Sequence, residues 1–431
     1  MTVVKTNGHL EQYYADCLAK RHIIGSELRT VLRQLMEDMD SEDWLYDTTE
    51  ADRRMGFMEG AIRMVKAPFY GQPLRLLPWQ KAFLSAVYGF RTPDGLPRFQ
   101  RVLLLVSRKN GKSSLCSALL LTDMIIGGRG RDIVCSSNDD LQADILFQVC
   151  DTMRLMLDPR SQDTWRNQKG LKCLINDNRM YKLSDKTRNK EGHQIDTAVV
   201  DEVHQMRDNV IVKSIEQSQS VKDDPLLILI TTEGVVNEGF LDAELRRARA
   251  IISGETDDLA SRRYLPWLYT QDSEREVWEG NRDNRLWMKS NPTLGVVKRW
   301  DYLEQQVDLA RQSRADRAFV LCKDFNIKQN SSEAWLMPED YSYDLPVDIE
   351  ALRGSVCLGG VDLAETTDLS CAKAFVMLPG DPTKHILTQY FVPEGKLSQS
   401  DDRSAGAQYD KWAREGLLKV CPGNYMDIGL V

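Results

Sequence analysis

Length and composition describe an ordinary globular protein with more than one domain. The chain has 431 residues, of which 42% are hydrophobic and 28% are charged, and these values exclude wholesale disorder. With 56 basic and 64 acidic residues, the formal net charge is −8. Any nucleic acid must therefore be bound through local patches rather than through overall charge.

The spacing of the cysteines and the length of the apolar runs further limit the class of protein. The nine cysteines include no Cys-x-x-Cys pair, which argues against a disulfide framework or a structural zinc site and fits a reducing cytosol. The N-terminus lacks the apolar stretch of a signal peptide. The longest apolar runs, at 102–106 and 226–230, are far too short to span a membrane and are expected to be buried strands.

The N-terminal residues 1–66 are predicted to form a helical segment. Apolar residues recur three and four positions apart over 9–40, and a second helical stretch continues to about 66. Neither stretch carries evident chemistry, so a packing or docking appendage is the simplest interpretation.

Residues 67–235 are predicted to form an α/β domain. Strands are expected at 102–106, 132–136, 197–201 and 226–231, with helices over 113–126 and 139–155 between them. Short, continuously apolar strands that alternate with helices are typical of a mainly parallel sheet covered on both faces.

The remaining chain is predicted to form two further regions. Residues 236–335 are predicted to form a helical lid or linker. Its surface is expected to be solvated, because basic and acidic residues are nearly balanced there. Residues 336–431 begin with a proline-containing linker and then become β-rich, with strands near 355–362, 372–377 and 385–391. The first two of these strands are expected to form an antiparallel hairpin.

The strongest chemical signal is the stretch 102–114, in which a buried strand turns and Gly111-Lys112-Ser113 opens a helix. Such a loop holds phosphates with backbone N–H groups, while Lys112 reaches the terminal phosphates and Ser113 binds Mg²⁺. Val106 stands where the first glycine of this motif is usual, and an ordinary strand-to-helix turn is the alternative. The residues assigned here to ATP binding are Arg108, Asn110, Gly111, Lys112, Ser113 and Ser114.

A second apolar strand ends in Asp201 and Glu202. Asp201 is expected to hold Mg²⁺, and Glu202 is expected to orient or deprotonate the attacking water. A strand that ends in Asp-Glu is common on its own. Together with the Gly-Lys-Ser loop, however, it predicts an ATP hydrolase.

Three smaller features agree with this prediction, each with a simpler alternative. Thr231 and Thr232 follow a core strand and can sense the γ-phosphate, although a glycine-ended turn explains them equally well. Gln80 carries an amide that can hydrogen-bond adenine, or it can cap a helix. Arg188 lies in a polar loop and is assigned as an arginine finger, because phosphoryl transfer needs a rigid cation. Its alternative is a solvated run of charges.

A separate candidate site lies near the C-terminal end of the chain. Asp362 ends a predicted strand that turns and returns, and in RNase H-like nucleases such a hairpin presents a carboxylate to a two-metal centre. We therefore assign Asp362 as a catalytic metal ligand. The alternative is an aspartate with a structural role.

The order of these motifs resembles the large terminase subunit of tailed bacteriophages, and especially its HK97-type branch. The resemblance runs from about residue 13 to the end of the chain. The segments that carry it are LLPWQ, SRKNGKSS, VVDEVH, LITTEG, SNPTLG, FNIKQN and GGVDLAETTDLS.

The resemblance implies a packaging motor. An N-terminal P-loop ATPase domain would drive viral DNA into a procapsid with ATP and Mg²⁺, and an RNase H-like nuclease domain would cut concatemeric DNA with Mn²⁺ or Mg²⁺. Implied partners are double-stranded viral DNA, the portal protein and a small terminase subunit. The resemblance also implies a homo-pentamer on the portal, no membrane, and the host cytoplasm as the location.

One departure and two alternatives accompany this interpretation. Relatives continue beyond the point that matches Val431, so a partial nuclease domain with poor cleavage is expected. A helicase needs a second strand–helix series, and none follows residue 235. A non-catalytic, prophage-derived assembly protein would have no need of Lys112, Asp201 and Glu202.

Overall fold

A computed structural model describes residues 8–183, 194–234, 239–329, 348–364, 369–380, 383–397 and 409–430. Internal contacts divide the chain into two units, Met1–Ala334 and Trp335–Val431. Among the described helices, none combines the length and the apolar character needed to cross a lipid bilayer.

The described part of the first unit is built from helices and strands that alternate along much of the chain. The helices are α1 (His9–Leu18), α2 (Ser26–Met39), α3 (Thr49–Ala61), α4 (Pro78–Gly89), α5 (Lys112–Ile126), α6 (Asp140–Leu157), α7 (Val210–Ser218), α8 (Phe240–Ser253), α9 (Leu259–Arg262), α10 (Arg275–Glu279), α11 (Trp300–Gln312) and α12 (Arg314–Phe325). The strands are β1 (Leu45–Tyr46), β2 (Phe90–Arg91), β3 (Arg101–Leu105), β4 (Asp132–Ser137), β5 (Thr164–Asn167), β6 (Gly170–Cys173), β7 (Arg179–Leu183), β8 (Ile195–Asp201), β9 (Leu226–Thr231) and β10 (Tyr264–Leu268).

One large sheet organises this unit, with the strand order β10-β3-β9-β8-β4-β7-β6-β5. The strands from β10 to β7 pair in parallel, and β5, β6 and β7 pair antiparallel. Every residue of β8 and β9 is buried, which requires cover on both faces of the sheet. The prediction of a mixed α/β fold around a mainly parallel sheet is confirmed.

The N-terminal helices differ from their predicted extent. The periodic stretch 9–40 contains two helices rather than one, because α1 ends at Leu18 and Lys20 has a left-handed φ of 57°. The next helix, α3, ends at Ala61 rather than near residue 66. These helices bury apolar residues in the same core as the large sheet, so they are part of the first unit.

The region 236–335 is not wholly helical as predicted, because it also supplies β10. This strand is entirely buried and pairs in parallel with β3 at one edge of the sheet. Its central residue is Pro266, which has no N–H and therefore suits an edge strand. The expected solvated surface is also wrong in part, since Lys289, Lys298 and Lys323 are buried.

The described part of the second unit is a four-stranded sheet with one short helix. Its elements are β11 (Cys357–Asp362), β12 (Ser370–Met377), β13 (Lys384–Pro393), α13 (Tyr409–Arg414) and β14 (Leu418–Cys421). The strand order is β11-β12-β13-β14; the first three strands are antiparallel and β14 is parallel to β13. The β11–β12 hairpin matches the one predicted from the sequence.

Candidate active site

Three neighbouring strands bring the predicted ATPase residues together. In the large sheet β9 lies between β3 and β8, so the loop after β3 and the ends of the other two strands share one edge. Lys112 opens the helix after that loop, while Asp201 and Thr231 are the last residues of β8 and β9. The carboxyl edge of a parallel sheet is where α/β proteins bind their ligands.

The loop before α5 has the backbone of a phosphate-binding turn. Lys109 and Gly111 both have left-handed φ angles, of 63° and 82°. Gly111 adopts this conformation at little cost because it lacks a Cβ atom. The first N–H groups of α5 have no acceptor within the helix, and the helix dipole adds positive potential, so this end of α5 favours an anion.

Lys112 is a buried cation that contacts only neutral acceptors among the described residues. Its Nζ donates to the backbone carbonyls of Val106, at 2.8 Å, and Ser107, at 3.4 Å. Burial lowers the pKa of Lys112 to about 8, against the opposing charges of Asp201 and Glu202. A buried ammonium group without a paired carboxylate fits a site that receives phosphate.

Ser113 and Asp201 face each other across the sheet edge. The Ser113 hydroxyl lies 3.4 Å from Asp201 Oδ2. Burial, together with the charge of Glu202, raises the pKa of Asp201 to about 6. A hydroxyl and a carboxylate are the oxygen ligands that Mg²⁺ takes in nucleotide sites, so the donor set fits this ion.

Glu202 contacts the neighbouring strand through His204, which the sequence interpretation left without a role. His204 Nδ1 lies 3.0 Å from Glu202 Oε2 and 3.2 Å from the Thr231 hydroxyl. Because that hydroxyl donates to the carbonyl of Thr232 at 2.7 Å, it is an acceptor for His204. With its proton on Nδ1, His204 would link Glu202, which follows β8, to the end of β9.

The electrostatics of Glu202 keep its side chain ionised at neutral pH. Burial would raise the pKa of Glu202, but the contact with His204 and the charges of Lys112 and Lys323 lower it to about 2. Its φ of 54° is left-handed, which is uncommon for glutamate and marks a backbone held by its surroundings. Burial lowers the pKa of His204 despite the nearby glutamate.

Gln80 lies near the phosphate loop, and Thr232 directly follows the end of β9. Gln80 is buried at the start of α4, and its Nε2 lies 3.7 Å from where a Cβ atom on Gly111 would stand. Its Oε1 also accepts a hydrogen bond from the N–H of Leu77 at 2.9 Å, so Gln80 does cap the start of α4. Thr232 is buried and donates to the carbonyl of Glu233.

A buried polar network ties the phosphate loop to the lid segment, by which we mean residues 286–329. Asn110 Nδ2 contacts Asn291 Oδ1 at 3.1 Å, and Asn110 Oδ1 accepts from the N–H and hydroxyl of Thr293. Asn291 in turn accepts from Lys298, which pairs with Asp324 at 2.6 Å. The side chain of Asn110, predicted to bind ATP, is thus engaged by the lid segment.

The end of the lid segment reaches the loop after β9. The helix α12 ends before Asn326, whose φ of 53° is left-handed. Asn326 Oδ1 accepts from the N–H of Glu233 at 3.0 Å, and its Nδ2 donates to the carbonyl of Tyr269 at 2.8 Å. One side chain therefore joins the lid segment, the loop after β9 and the residue that follows β10.

The remaining predicted ATPase residues are placed as follows. Arg108 is exposed, with its guanidinium group 5.4 Å from the centre of the Phe319 ring in α12. Ser114 lies half-buried in the first turn of α5. Arg188, the predicted arginine finger, lies outside the described residues.

Asp362 belongs to the second unit and is the last residue of β11. It is exposed, and it pairs across the hairpin with Cys371. Within the described ranges, no group of three or more His, Cys, Asp or Glu side chains is arranged to hold a metal ion.

A parallel α/β sheet that carries this site at its carboxyl edge is the architecture of a P-loop ATPase. A family model for the terminase large subunit ATPase domain matches residues 78–250, and a model for the terminase large subunit endonuclease domain matches residues 258–428. Together these models cover most of the chain. The chain belongs to the terminase large subunit family, and it is an ATPase and endonuclease by its domains.

Individual relatives agree with this assignment. The chain is 25% identical over 395 residues to the terminase large subunit of Enterobacteria phage HK97, which covers 89% of this chain and 73% of that protein. It is 21% identical over 327 residues to the terminase large subunit of Lactococcus phage p2, of which it spans 58%. The crystal structure of the HK97 bacteriophage large terminase shares the fold, with a TM-score of 0.55 at 23% identity over 88% of this chain and 75% of that one. The resemblance predicted from the sequence is confirmed.

Proposed function

We propose that this chain is the motor subunit that hydrolyses ATP to move double-stranded viral DNA into a procapsid. The observation that carries the proposal is the meeting of Lys112, Asp201 and Glu202 at one edge of a parallel sheet, with Thr231 linked to Glu202 through His204. A motor needs residues that hydrolyse ATP and residues that respond to hydrolysis. This edge of the sheet contains candidates for each role.

The residues of this chain divide the work of hydrolysis. Lys112 and the N–H groups at the start of α5 hold the phosphates, and Gln80 contacts the base. Ser113 and Asp201 would hold Mg²⁺, which would supply positive charge to neutralise the phosphates. Glu202 accepts a proton from the attacking water, and His204 keeps its carboxylate oriented.

Transmission of the hydrolysis step is assigned to Thr231 and Thr232. Both are buried at the end of β9, next to the strand that carries Glu202. A change at the γ-phosphate that moves Glu202 would reach Thr231 through His204. We assign Arg188 as the finger that stabilises the developing phosphate charge in a neighbouring subunit.

The second unit is proposed to cut concatemeric DNA with Mn²⁺ or Mg²⁺, with Asp362 as one metal ligand. Further partners proposed from the family are the portal protein and a small terminase subunit, with five copies assembled on the portal. Such an assembly would work in the cytoplasm of the infected host.

An ATPase assay with three arms tests the proposed function. ATP turnover by the chain alone is compared with turnover in the presence of linear double-stranded DNA, and then with DNA and portal-bearing procapsids. We expect the largest turnover in the third arm, together with DNA protected from nuclease inside the procapsids. A folded Lys112→Ala variant is the inactive control.

Two results of that assay would contradict the proposal. Strand separation of a forked duplex, without DNA protection in procapsids, would favour a helicase. Binding to the portal with no turnover in any arm would favour a non-catalytic assembly protein.

A further inference from the structure

Lys323 is a buried cation of the lid segment that lies at the candidate ATP site. It belongs to α12, and its Nζ donates to the backbone carbonyl of Glu233 at 2.8 Å. Glu233 lies two residues beyond Thr231, which ends β9. The ammonium group therefore lies at the edge of the sheet where Glu202 and Lys112 also meet.

The backbone of Lys323 is attached to the phosphate loop. Its carbonyl accepts from the N–H of Arg108 at 3.0 Å. The same residue thus contacts the loop after β3 through its main chain and the loop after β9 through its side chain. These two loops flank the place assigned to the phosphates of ATP.

Within the described residues, Lys323 has no carboxylate at ion-pair distance, unlike two neighbouring lysines. Lys298 pairs with Asp324 at 2.6 Å, and Lys328 pairs with Asp242 at 2.9 Å. A buried ammonium group that contacts only a neutral carbonyl has lost hydration without gaining a counter-ion, which is unfavourable. Lys112, the motif lysine, is in the same condition, since it also contacts only carbonyl oxygens.

Burial and charge indicate which chemical group would suit Lys323 as a partner. Burial lowers the pKa of Lys323, while the carboxylates of Glu202 and Glu233 act in the opposite direction. The charges of Lys112 and Lys323 both lower the pKa of Glu202, so both ammonium groups act on the carboxylate at this edge of the sheet. A polyanion that enters between them would give each lysine a counter-ion.

We propose that Lys323 is a second phosphate-binding cation of the ATP site, which exchanges the Glu233 carbonyl for the terminal phosphate of ATP. The inference rests on the proposed ATPase function and adds a residue that discriminates ATP from ADP. ADP lacks the terminal phosphate, so Lys323 stays on the Glu233 carbonyl when ADP is bound. The lid segment thereby reports the nucleotide state directly to the loop that follows Thr231 and Thr232.

Equilibrium binding, measured without turnover, tests this role. The probes are a non-hydrolysable ATP analogue and ADP, each titrated with Mg²⁺ into the full chain and followed by calorimetry. The variants are Lys323→Met, which keeps the length and loses the charge, Lys323→Gln and Lys323→Arg. Lys328→Met is the matched control, because it removes a lysine from the same segment that already has a carboxylate partner.

We expect Lys323→Met and Lys323→Gln to bind the ATP analogue at least tenfold more weakly than the parent, with ADP affinity within twofold. Lys323→Arg should keep most of the preference for the ATP analogue. Lys328→Met should keep the parent ratio of the two affinities. In the absence of nucleotide, Lys323→Met should melt at or above the parent temperature, because the unpaired buried charge is gone.

Two results would overturn the inference. An unchanged ratio of ATP-analogue to ADP affinity in Lys323→Met would show that Lys323 does not contact the terminal phosphate. An equal loss of both nucleotides would assign it a structural role in the lid segment. If Lys323→Met does not fold, the same ratio in Lys323→Gln decides. A folded parent that binds neither nucleotide would instead reject the proposed ATPase function, and the inference with it.

Discussion

Lys112 carries its charge in a buried position, and burial of this charge is expected to lower the stability of the fold. A lysine pKa that is lower in the folded chain than in the unfolded chain destabilises the fold at every pH below about 8, and the effect disappears as the pH rises towards 10.5. The buried charge of Lys112 therefore contributes unfavourably to the stability of the folded chain. Active sites commonly sacrifice stability in this way.

We predict that Lys112→Met raises the free energy of unfolding by about 1–3 kcal/mol at pH 7, because each pKa unit corresponds to about 1.4 kcal/mol. Urea unfolding of parent and variant at pH 7 and pH 10 measures this difference, which should shrink at the higher pH. Saturating Mg-ATP should stabilise the parent and leave the variant unchanged. A variant that is less stable than the parent at pH 7 would show that the contacts of Nζ with Val106 and Ser107 outweigh the cost of burial.

Glu202 is the residue on which the hydrolysis assignment depends. Glu202→Gln should keep ATP affinity within threefold and lower turnover by about 100-fold or more, because an amide cannot take up the proton of the attacking water. Turnover and equilibrium binding are measured on the same preparation. Glu255→Gln, at an exposed position after α8, is the control. Parent-like turnover in Glu202→Gln would reject Glu202 as the base.

At the scale of elements, the contact between the phosphate loop and the lid segment is the main addition to the sequence interpretation. Asn291 is fully buried, and its side chain contacts Ser107, Asn110 and Lys298. Ser107 and Asn110 belong to the phosphate loop, whereas Lys298 belongs to the lid segment. Removing the amide would leave a buried hydroxyl and a buried ammonium group short of an acceptor.

We predict that Asn291→Ala lowers the free energy of unfolding by about 2–4 kcal/mol, since buried polar groups lose their partners. Nucleotide affinity should fall as well, because Asn110 precedes Gly111 in the loop. Gln305→Ala, on the exposed side of α11, is the control and should change the free energy of unfolding by less than about 0.5 kcal/mol. Equal stability of both variants would show that the network contributes little.

In the second unit, the role of Asp362 at the end of β11 can be tested by a single substitution. The parent chain is expected to nick supercoiled plasmid only weakly in the presence of metal, and Asp362→Asn should remove that residual nicking, because an amide is a far weaker ligand for Mn²⁺ or Mg²⁺ than a carboxylate. Asp410→Asn in α13 is the control. Cleavage that survives Asp362→Asn would reject this residue as a metal ligand. The expectation of poor cleavage by the parent chain stays a prediction.

Some elements could be predicted from the sequence because their signals are local. The strands β3 and β9 are nearly continuous apolar runs and β8 contains Ala-Val-Val, while the expected Gly-Lys-Ser, Asp-Glu and Thr-Thr groups stand at or after the ends of these strands. The strand β10 could not be predicted in this way, because Pro266 and its aromatic neighbours stand within a charged, helical stretch. Tertiary pairing with β3 overrides that local pattern.

The contacts of the lid segment could not be predicted at all. Asn110 and Asn291 are 181 positions apart in the chain, and hydrophobic periodicity reports only neighbours. Lys323 stands in the stretch expected to have a solvated surface, and His204 follows Asp201 and Glu202 closely in the chain. Nothing local distinguishes a buried lysine from a solvated one. Burial and partners come from the tertiary fold, and they are what assign these two residues a role.

For the whole molecule, the assignment of Arg188 predicts that turnover depends on assembly. Isolated chains should be poor ATPases, and mixing folded Lys112→Ala with folded Arg188→Ala should restore part of the activity that each variant lacks alone. The mixture is assayed on portal-bearing procapsids, where the subunits meet. No recovery in an assembled mixture would count against a finger that acts in a neighbouring subunit.

A pivot at the left-handed Asn326, which follows the end of α12, would make this helix a lever. The 12 residues of α12 extend about 18 Å from this fulcrum, so a rotation of about 10° at Asn326 displaces the far end by about 3 Å. A small rotation near the phosphates would therefore produce a larger displacement near Gln312 and Ser313, where α11 meets α12. The distance between two spin labels, one at this junction and one on a strand of the large sheet, would report such a movement when ATP is hydrolysed.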